Sequence, residues 1–307
     1  MELIIILTDI ILPIFIIMSV GYIIQKKLHL NIQTLARLNI YFLIPAFIFE
    51  KLYSTQFSLK IFLYVLVFFV IYVAILYMIG NFIGKAMKLE KGKRTTFTNS
   101  ALFFNSGNYG VPVNDLVFRS DPFAMSIQVI VLTLQNIFLF SYGIISMQAA
   151  DTGKLKALLD YFKLPILYAM VLGIGLNVLG VTLPTFIEVP ANYAANAMIA
   201  LALFTLGAQV AEIRLTSGLS NVYGSLFVRL MLGPVIALGI IYLLRIDGVF
   251  AQALFIASAM PTSVNSAVIA EEYKNHPDFA AQIVLFSTIF SAITVTVVIY
   301  ISRILFG

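Results

Sequence analysis

Long runs of residues without a single charge constrain this chain more than any other feature of its sequence. Six such runs each exceed the roughly 20 residues that an α-helix needs to cross the hydrocarbon core of a bilayer. Because lipid offers the backbone no hydrogen-bond partner, long apolar runs are expected as helices. The sequence therefore predicts an all-α integral membrane protein. The runs are Ile61 to Gly84, Pro122 to Ala150, Leu164 to Ile187, Val189 to Ala211, Gly248 to Ala270 and Phe279 to Ser302.

The scarcity of charged and metal-binding side chains excludes several other classes of protein. Asp, Glu, Lys and Arg make up 11% of the 307 residues, against roughly 25% in soluble domains. The absence of cysteine excludes disulfides and thiolate metal sites, and the two histidines lie beside charged loop residues. The net charge of +5 arises from basic residues between apolar runs, a topology signal rather than a nucleic-acid-binding surface. We expect no resident cofactor and no nucleic-acid partner.

Four shorter or edge-charged apolar segments raise the predicted number of transmembrane helices to ten. They are Leu3 to Ile24, Leu35 to Leu52, Thr95 to Val117 and Ser220 to Leu244. The longest polar interruption, residues 150–163, has five spans on either side. An odd number of spans requires the second half to insert upside down relative to the first. The chain is therefore predicted as two five-helix repeats, residues 1–149 and 164–307, joined by a cytoplasmic linker as an inverted repeat.

Spans four and nine each contain a segment that is poor helix chemistry. Two Asn, two Gly and a Pro lie between Asn105 and Pro112, and Pro261 is followed by hydroxyl and amide side chains. Relative to Ala, Gly costs about 1 kcal/mol and Pro about 3 kcal/mol in a helix interior. The alternative to a binding site is two structural kinks whose polar side chains bond to their own backbone. Breaks at matching positions of two halves favour a pair of discontinuous helices that form a transport site.

Such broken helices would direct the positive ends of their second halves toward an anion, with neutral side chains adding hydrogen bonds. Neither span carries an acid at its break, which favours an anionic substrate over a proton carried by a carboxylate. The candidate substrate-binding residues in the two segments are Asn105, Ser106, Gly107, Asn108, Gly110, Pro112, Pro261, Thr262, Ser263 and Asn265.

The segment from Asn105 to Pro112 resembles the span-four signature of the auxin efflux carrier family, which includes plant auxin exporters and bacterial malate and malonate permeases. Segments in spans two, seven, eight and nine are similar to the family in the same order, so the resemblance covers nearly the whole chain. It implies a ten-helix fold, related to bile-acid sodium symporters, in which broken helices 4 and 9 cross within a transport part beside a scaffold part. It also implies a homodimer formed through scaffold helices.

Three further residues are weighed individually. Gln135 stands where the family has a polar residue near the crossover, and an interhelical hydrogen bond is the alternative role. Arg229 is the basic residue well inside a span. It could pair with a substrate carboxylate, but we favour a role in which its side chain snorkels to the interface or serves the structure. Glu271 is a weak candidate for a sodium site, and an interfacial solvated carboxylate is the favoured interpretation.

These observations predict a secondary transporter for a small organic anion, a mono- or dicarboxylate or an auxin-like acid. It would work by alternating access around the helix 4 and helix 9 crossover, in an elevator-like movement. The alternative is a sodium- or proton-exchanging carrier on the same scaffold, and coupling to Na⁺ or H⁺ stays open. A receptor without transport activity is disfavoured by the paired breaks. No partnered Ser, His and acid constellation is visible, so no enzyme activity is expected.

The distribution of Lys and Arg predicts that both termini face outward from the cell membrane, since most basic residues then lie in cytoplasmic loops. A phosphatase reporter that folds only outside the cytoplasm should therefore be active when fused after Gly307. The same reporter in the linker at residues 150–163 should be inactive. A reporter after Gly307 that behaves as cytoplasmic would contradict this topology.

Overall fold

The computed structural model describes residues 1–55, 59–119, 121–147, 165–213 and 219–307, and these ranges are almost entirely helical. Within them β-structure is confined to one isolated bridge between two residues. The predicted linker at residues 150–163 lies outside the described residues.

Twelve helical segments follow one another in the described part of the chain. Seven of them are long and apolar enough to cross a membrane, and two shorter ones are also apolar. These features agree with the predicted all-α integral membrane protein. In chain order the helices are α1 (Glu2–Leu28), α2 (Ile32–Ser54), α3 (Leu59–Ala86), α4 (Lys91–Leu102), α5 (106–118), α6 (Pro122–Met147), α7 (Pro165–Val178), α8 (Thr185–Glu212), α9 (Ser220–Leu243), α10 (Gly248–Ser258), α11 (Val264–Glu272) and α12 (Pro277–Phe306).

Wide π-helical turns interrupt α1, α2 and α9 and begin α5, and each of these four ends two residues before a proline, whereas a fifth, Leu139–Gly143 in α6, precedes no proline. A proline ring clashes with the carbonyl four residues earlier and has no N–H to offer it. A wider turn relieves this clash and bends the helix without breaking it. The turns and their prolines are Leu7–Ile11 with Pro13, Asn39–Leu43 with Pro45, Ser106–Gly110 with Pro112, and Phe227–Leu232 with Pro234.

The helices pack in two groups. Helix α8 packs along α1 and α2, and α7 packs along α2. The remaining helices pack mainly among themselves, with α3 against α4 and α6, α10 against α6, α9 and α12, and α11 against α12. The first group (α1, α2, α7 and α8) is called the flanking group below, and the second (α3 to α6 and α9 to α12) the core group.

Two glycines allow α1 and α8 to touch backbone to backbone. A Cβ on Gly21 would overlap the carbonyl oxygen of Phe204, and a Cβ on Gly207 would overlap that of Met18. Small residues at such contacts are the usual means of close helix association in membranes, where lipid supplies little hydrophobic drive. The pair is further joined where Gln25 Nε2 donates to Glu212 Oε1 at 2.8 Å.

Gly207→Ala is expected to force α1 and α8 apart and to lower the free energy of unfolding by about 1–3 kcal/mol, the usual range for overpacking. The matched control is Gly239→Ala on α9, where a Cβ meets no heavy atom within 4 Å. Thermal unfolding of the purified protein in detergent measures both variants. Equal midpoints for the two alanine variants would contradict the close contact.

Candidate functional site

The gap between α4 and α5 lies against the gap between α10 and α11, and the two interrupted backbones form hydrogen bonds with each other. Asn105 N donates to Pro261 O at 2.8 Å, and Ser263 N donates to Phe103 O at 2.7 Å. Phe104 and Thr262 thereby form an isolated antiparallel bridge. Because an unpaired backbone group in a low-dielectric interior costs several kcal/mol, this exchange lowers the free-energy cost of interrupting two helices inside the protein.

Buried side chains complete the hydrogen bonding of the two gaps. Thr262 Oγ1 donates to Ser100 O at 2.9 Å, and Gln135 Nε2 donates to Leu102 O at 3.2 Å. Gln128 Nε2 donates to Ser106 O at 2.7 Å. Gln135 therefore has the interhelical hydrogen bond that was its alternative role, and it also borders the cavity described below.

The side chain of Arg229 joins the ends of α4 and α10. Its Nη1 donates to Ala101 O at 2.9 Å, and its Nη2 donates to Tyr72 Oη at 2.7 Å and to Ser258 O. The guanidinium also lies 5.0 Å from the ring centroid of Phe104. Ala101 and Ser258 stand in the last turns of their helices, where the carbonyl groups carry partial negative charge. One cation thus stabilises two helix C-termini.

The snorkelling interpretation of Arg229 is wrong, because the residue is 0% exposed and its guanidinium is held by buried groups. Arg229 is also not among the residues that line the cavity at the gaps. Its role is the structural one. The sequence contained the signal, a lone basic residue deep in an apolar span, but not the partners, which lie in three other helices.

The N-terminal ends of α5 and α11 are capped by residues of the gaps themselves. Asn105 Oδ1 accepts from Asn108 N at 3.1 Å, and Ser263 Oγ accepts from Asn265 N at 3.3 Å. These are ordinary N-caps, in which a side-chain oxygen satisfies one of the free N–H groups of the first turn. With its oxygen used in this way, the Asn105 side chain has its amide nitrogen left for another partner.

Both N-terminal ends border a small cavity of about 20 Å³. This volume admits about one water and is too small for an organic anion. Seven of the predicted site residues line it: Asn105, Ser106, Gly107, Asn108, Gln135, Ser263 and Asn265. The other lining residues are Ile44, Phe104, Leu132, Asn136, Leu139 and Val264.

The other predicted site residues lie outside the cavity wall. Gly110 packs so closely on Gln128 that a Cβ would stand 2.6 Å from the amide nitrogen, and Pro112 lies buried in the first α-helical turn of α5. Pro261 and Thr262 serve the pairing of the two gaps. Glu271 lies exposed near the end of α11 and does not line the cavity.

Asn136 is a polar lining residue that is not among the predicted site residues. Its Nδ2 and the Nδ2 of Asn105 are both buried without a hydrogen-bond partner. Leu132, Asn136 and Leu139 recur on one face of α6 at spacings of four and three residues, and all three line the cavity. This periodicity was the signal that could have found Asn136.

Among the residues that the structure describes, none that lines the cavity carries a charged side chain. Two unpaired amide N–H₂ groups and two helix N-termini make it rich in donors, and burial strengthens their interaction with an acceptor. Within the described ranges no group of three or more His, Cys, Asp or Glu residues is placed to hold a metal ion. These N–H groups can donate hydrogen bonds to the oxygens of a small anion once the cavity widens.

Arg229→Lys is expected to destabilise the protein, because a single ammonium cannot reproduce the fork that reaches two carbonyls and Tyr72. Each carbonyl left unpaired costs about 1–3 kcal/mol. The control is Arg303→Lys at the end of α12, where the side chain is partly exposed and lies 3.5 Å from Glu2. Thermal unfolding in detergent compares the two, and an unchanged midpoint for Arg229→Lys would refute the cap.

Comparison with known proteins adds independent information. A model of the membrane transport protein family matches residues 6–299. The chain is 26% identical over 301 residues to an uncharacterized transporter of Methanothermobacter thermautotrophicus, covering 94% of this chain and 95% of that protein. It is 27% identical over 304 residues to one of Methanocaldococcus jannaschii, covering 94% and 96%.

A third relative carries the name of a plant carrier. The probable auxin efflux carrier component 9 of Oryza sativa subsp. japonica is 27% identical over 145 residues, covering 45% of this chain and 34% of the rice protein. The predicted resemblance to the auxin efflux carriers is thereby confirmed, as is the prediction that the protein is not an enzyme. Because the family model spans nearly the whole chain, the protein belongs to the membrane transport protein family, which includes the auxin efflux carriers.

Proposed function

We propose that this protein is a secondary transporter that carries a small organic anion across the cell membrane. The observation that carries the proposal is the pair of unpaired amide groups, on Asn105 and Asn136, in a charge-free cavity between two helix N-termini. A carboxylate would supply acceptors to both amides at once, and such charge-assisted hydrogen bonds are stronger than neutral ones.

The substrate class follows from the groups around the cavity. The buried Gln135 Oε1 also lacks a partner, and this acceptor suits a hydroxyl or a second, protonated carboxyl group. The apolar wall formed by Ile44, Leu132 and Leu139 suits a short carbon skeleton or an aromatic ring. A mono- or dicarboxylate or an auxin-like acid meets these requirements. The name of the rice relative supports inclusion of auxin-like acids among the candidates.

The alternative is a carrier that exchanges sodium ions or protons. Transport of the anion could also be coupled to Na⁺ or H⁺. A cation site would need oxygen ligands, usually with a carboxylate, and none of the described lining residues is Asp or Glu. The donor-rich wall supports the anion instead.

Alternating access would arise from movement of the core group against the flanking group. On this proposal α4–α5 and α10–α11 are the crossover helices of a ten-span, 5+5 inverted repeat. Their paired gaps would travel as one rigid body in an elevator-like movement. Ile44 on α2 is the lining residue contributed by the flanking group, so separation of the groups would open the cavity at that wall. The flanking helices would also form the contact of a homodimer.

Asn105→Ala and Asn136→Ala are each expected to reduce transport strongly in proteoliposomes. Loss of one hydrogen bond to a charged group costs about 1.5–3 kcal/mol, which is roughly a 10- to 100-fold loss of affinity. Pro261→Ala is expected to abolish transport, because alanine regains the N–H and the freedom of φ that proline lacks and so lets the backbone leave the conformation of the gap. The measurement is uptake of radiolabelled malate, malonate and indole-3-acetate, with and without sodium and proton gradients.

The matched control is Asn192→Ala on α8, where the amide bonds to the carbonyl of Glu188 in an exposed setting. Normal uptake by both the Asn105 and Asn136 variants would refute the site. Sodium uptake or proton exchange by the wild-type protein, without any organic anion present, would favour the alternative carrier.

A further inference from the structure

A polar cavity and an apolar cavity adjoin each other along α3 and α6, and α4 contributes to the wall of the polar one. Each has a volume of about 270 Å³, more than ten times that of the cavity at the gaps. They share Tyr77 and Tyr142. The polar cavity is also lined by Asn81, Lys91, Arg94, Thr95, Thr98, Asn99 and Ser146, and the apolar one by Phe69, Val70, Val73, Ala74 and Phe138.

The residues that line the two cavities change from apolar to polar along one face of α3 and one face of α6. On α3 the lining positions run from Phe69 through Val73 and Tyr77 to Asn81, four residues apart. On α6 the lining residue Phe138 is followed by Tyr142 and Ser146 at the same spacing. Each face is therefore apolar toward the middle of the protein and polar toward the charged end where α3 is followed by α4.

Two cations stand at the polar end without an acidic partner. Neither Lys91 nor Arg94 forms an ion pair with an acid of the described residues. The stem of Arg94 lies against Gly84, where a Cβ would approach its Cγ to 2.7 Å, so the absence of a side chain on α3 makes room for it. Lys93, by contrast, turns to the ring of Phe279 on α12, 4.9 Å from its centroid.

The polar cavity also has side chains with unused hydrogen-bonding groups. Thr98 Oγ1 and Asn99 Oδ1 are buried without a partner, and the two residues are 4% and 1% exposed. The Asn99 amide nitrogen is held by Ser146 Oγ at 2.7 Å, which fixes the orientation of the side chain. A ligand with an anionic group and hydroxyls would satisfy the cations, the threonine hydroxyl and the amide oxygen together.

Exposed side chains of α3 border the apolar cavity. Val70 is 57% exposed and Tyr77 is 44% exposed on the outer face of α3. Phe69 and Tyr77 are eight positions apart on α3, a distance of about 12 Å at 1.5 Å per residue. This length is close to the roughly 15 Å thickness of one hydrocarbon leaflet. The apolar length along α3 and the exposure of its side chains therefore suit an acyl chain.

We propose that the two cavities form one binding site for an anionic phospholipid of the surrounding bilayer. Its phosphate lies between Lys91 and Arg94, its headgroup hydroxyls meet Thr98 and Asn99, and one acyl chain follows α3 past Tyr77. Basic pockets between transmembrane helices are a recognised setting for anionic headgroups. A soluble anion would use the polar half alone, whereas an amphiphile uses both halves and the opening between them.

The test measures the thermal-unfolding midpoint of the purified protein in an uncharged detergent, with added phosphatidylglycerol or with phosphatidylcholine of the same chain length. Phosphatidylglycerol is expected to raise the midpoint of the wild-type protein more than phosphatidylcholine does. The double variant Lys91→Gln/Arg94→Gln is expected to lose this difference, with an apparent affinity about 30-fold lower. Ala74→Phe, which narrows the apolar cavity, should weaken the same response.

The matched control is Lys85→Gln/Lys88→Gln, which removes two charges from exposed positions of the same region that do not line either cavity. Equal loss in the control pair would show general attraction to a basic belt and would overturn the proposal. Competition by soluble glycerol 3-phosphate as effective as that by phosphatidylglycerol would also overturn it, in favour of a soluble anion.

Native mass spectrometry of the wild-type protein gives a second measurement if the double variant fails to fold. Selective retention of phosphatidylglycerol over phosphatidylcholine supports the site. Equal retention of the two lipids contradicts it.

Discussion

One buried guanidinium makes the central architecture of this protein possible. Two helices end inside the protein, and their last carbonyl groups would be unpaired acceptors in a medium of low dielectric constant. Arg229 donates to one such carbonyl from each helix, so its own burial is offset by two partial negative charges and by the hydroxyl of Tyr72. With those ends held, the second halves, α5 and α11, begin beside the same cavity.

Some polar groups of the gaps hydrogen-bond within the protein, and others have no partner there. Backbone N–H and C=O groups pair across the gaps, and the Thr262 hydroxyl also donates to a backbone carbonyl there. The amide nitrogens of Asn105 and Asn136 are left over. Since the remaining space holds about one water, the cavity is closed to larger ligands in the described conformation. On the proposed function, binding of a larger anion would require separation of the helices that carry Ile44 and Leu132.

The sequence was informative where one residue type has one dominant physical effect. Charge-free runs predict apolar helices, and Pro, Gly and Asn within them predict interruptions. It was less informative where the outcome depends on partners remote in the chain. The carbonyls that hold Arg229 lie 128 and 29 residues away, so no local pattern could distinguish capping from snorkelling. The adjacent amides Gln135 and Asn136 are a related case. Both line the cavity, and only the packing of α6 shows which amide nitrogen is already bonded.

The π-helical turns have a consequence for experiments that map helix faces residue by residue. Each wide turn accommodates one residue more than an α-helical turn, so the side chains beyond it are rotated by about 100° relative to a continuous α-helix. A cysteine-accessibility scan along α1, α2 or α9 would therefore show two phases with a jump at the turn before Pro13, Pro45 or Pro234. Read as a single helical wheel, the same data would assign lipid-facing positions to the protein interior.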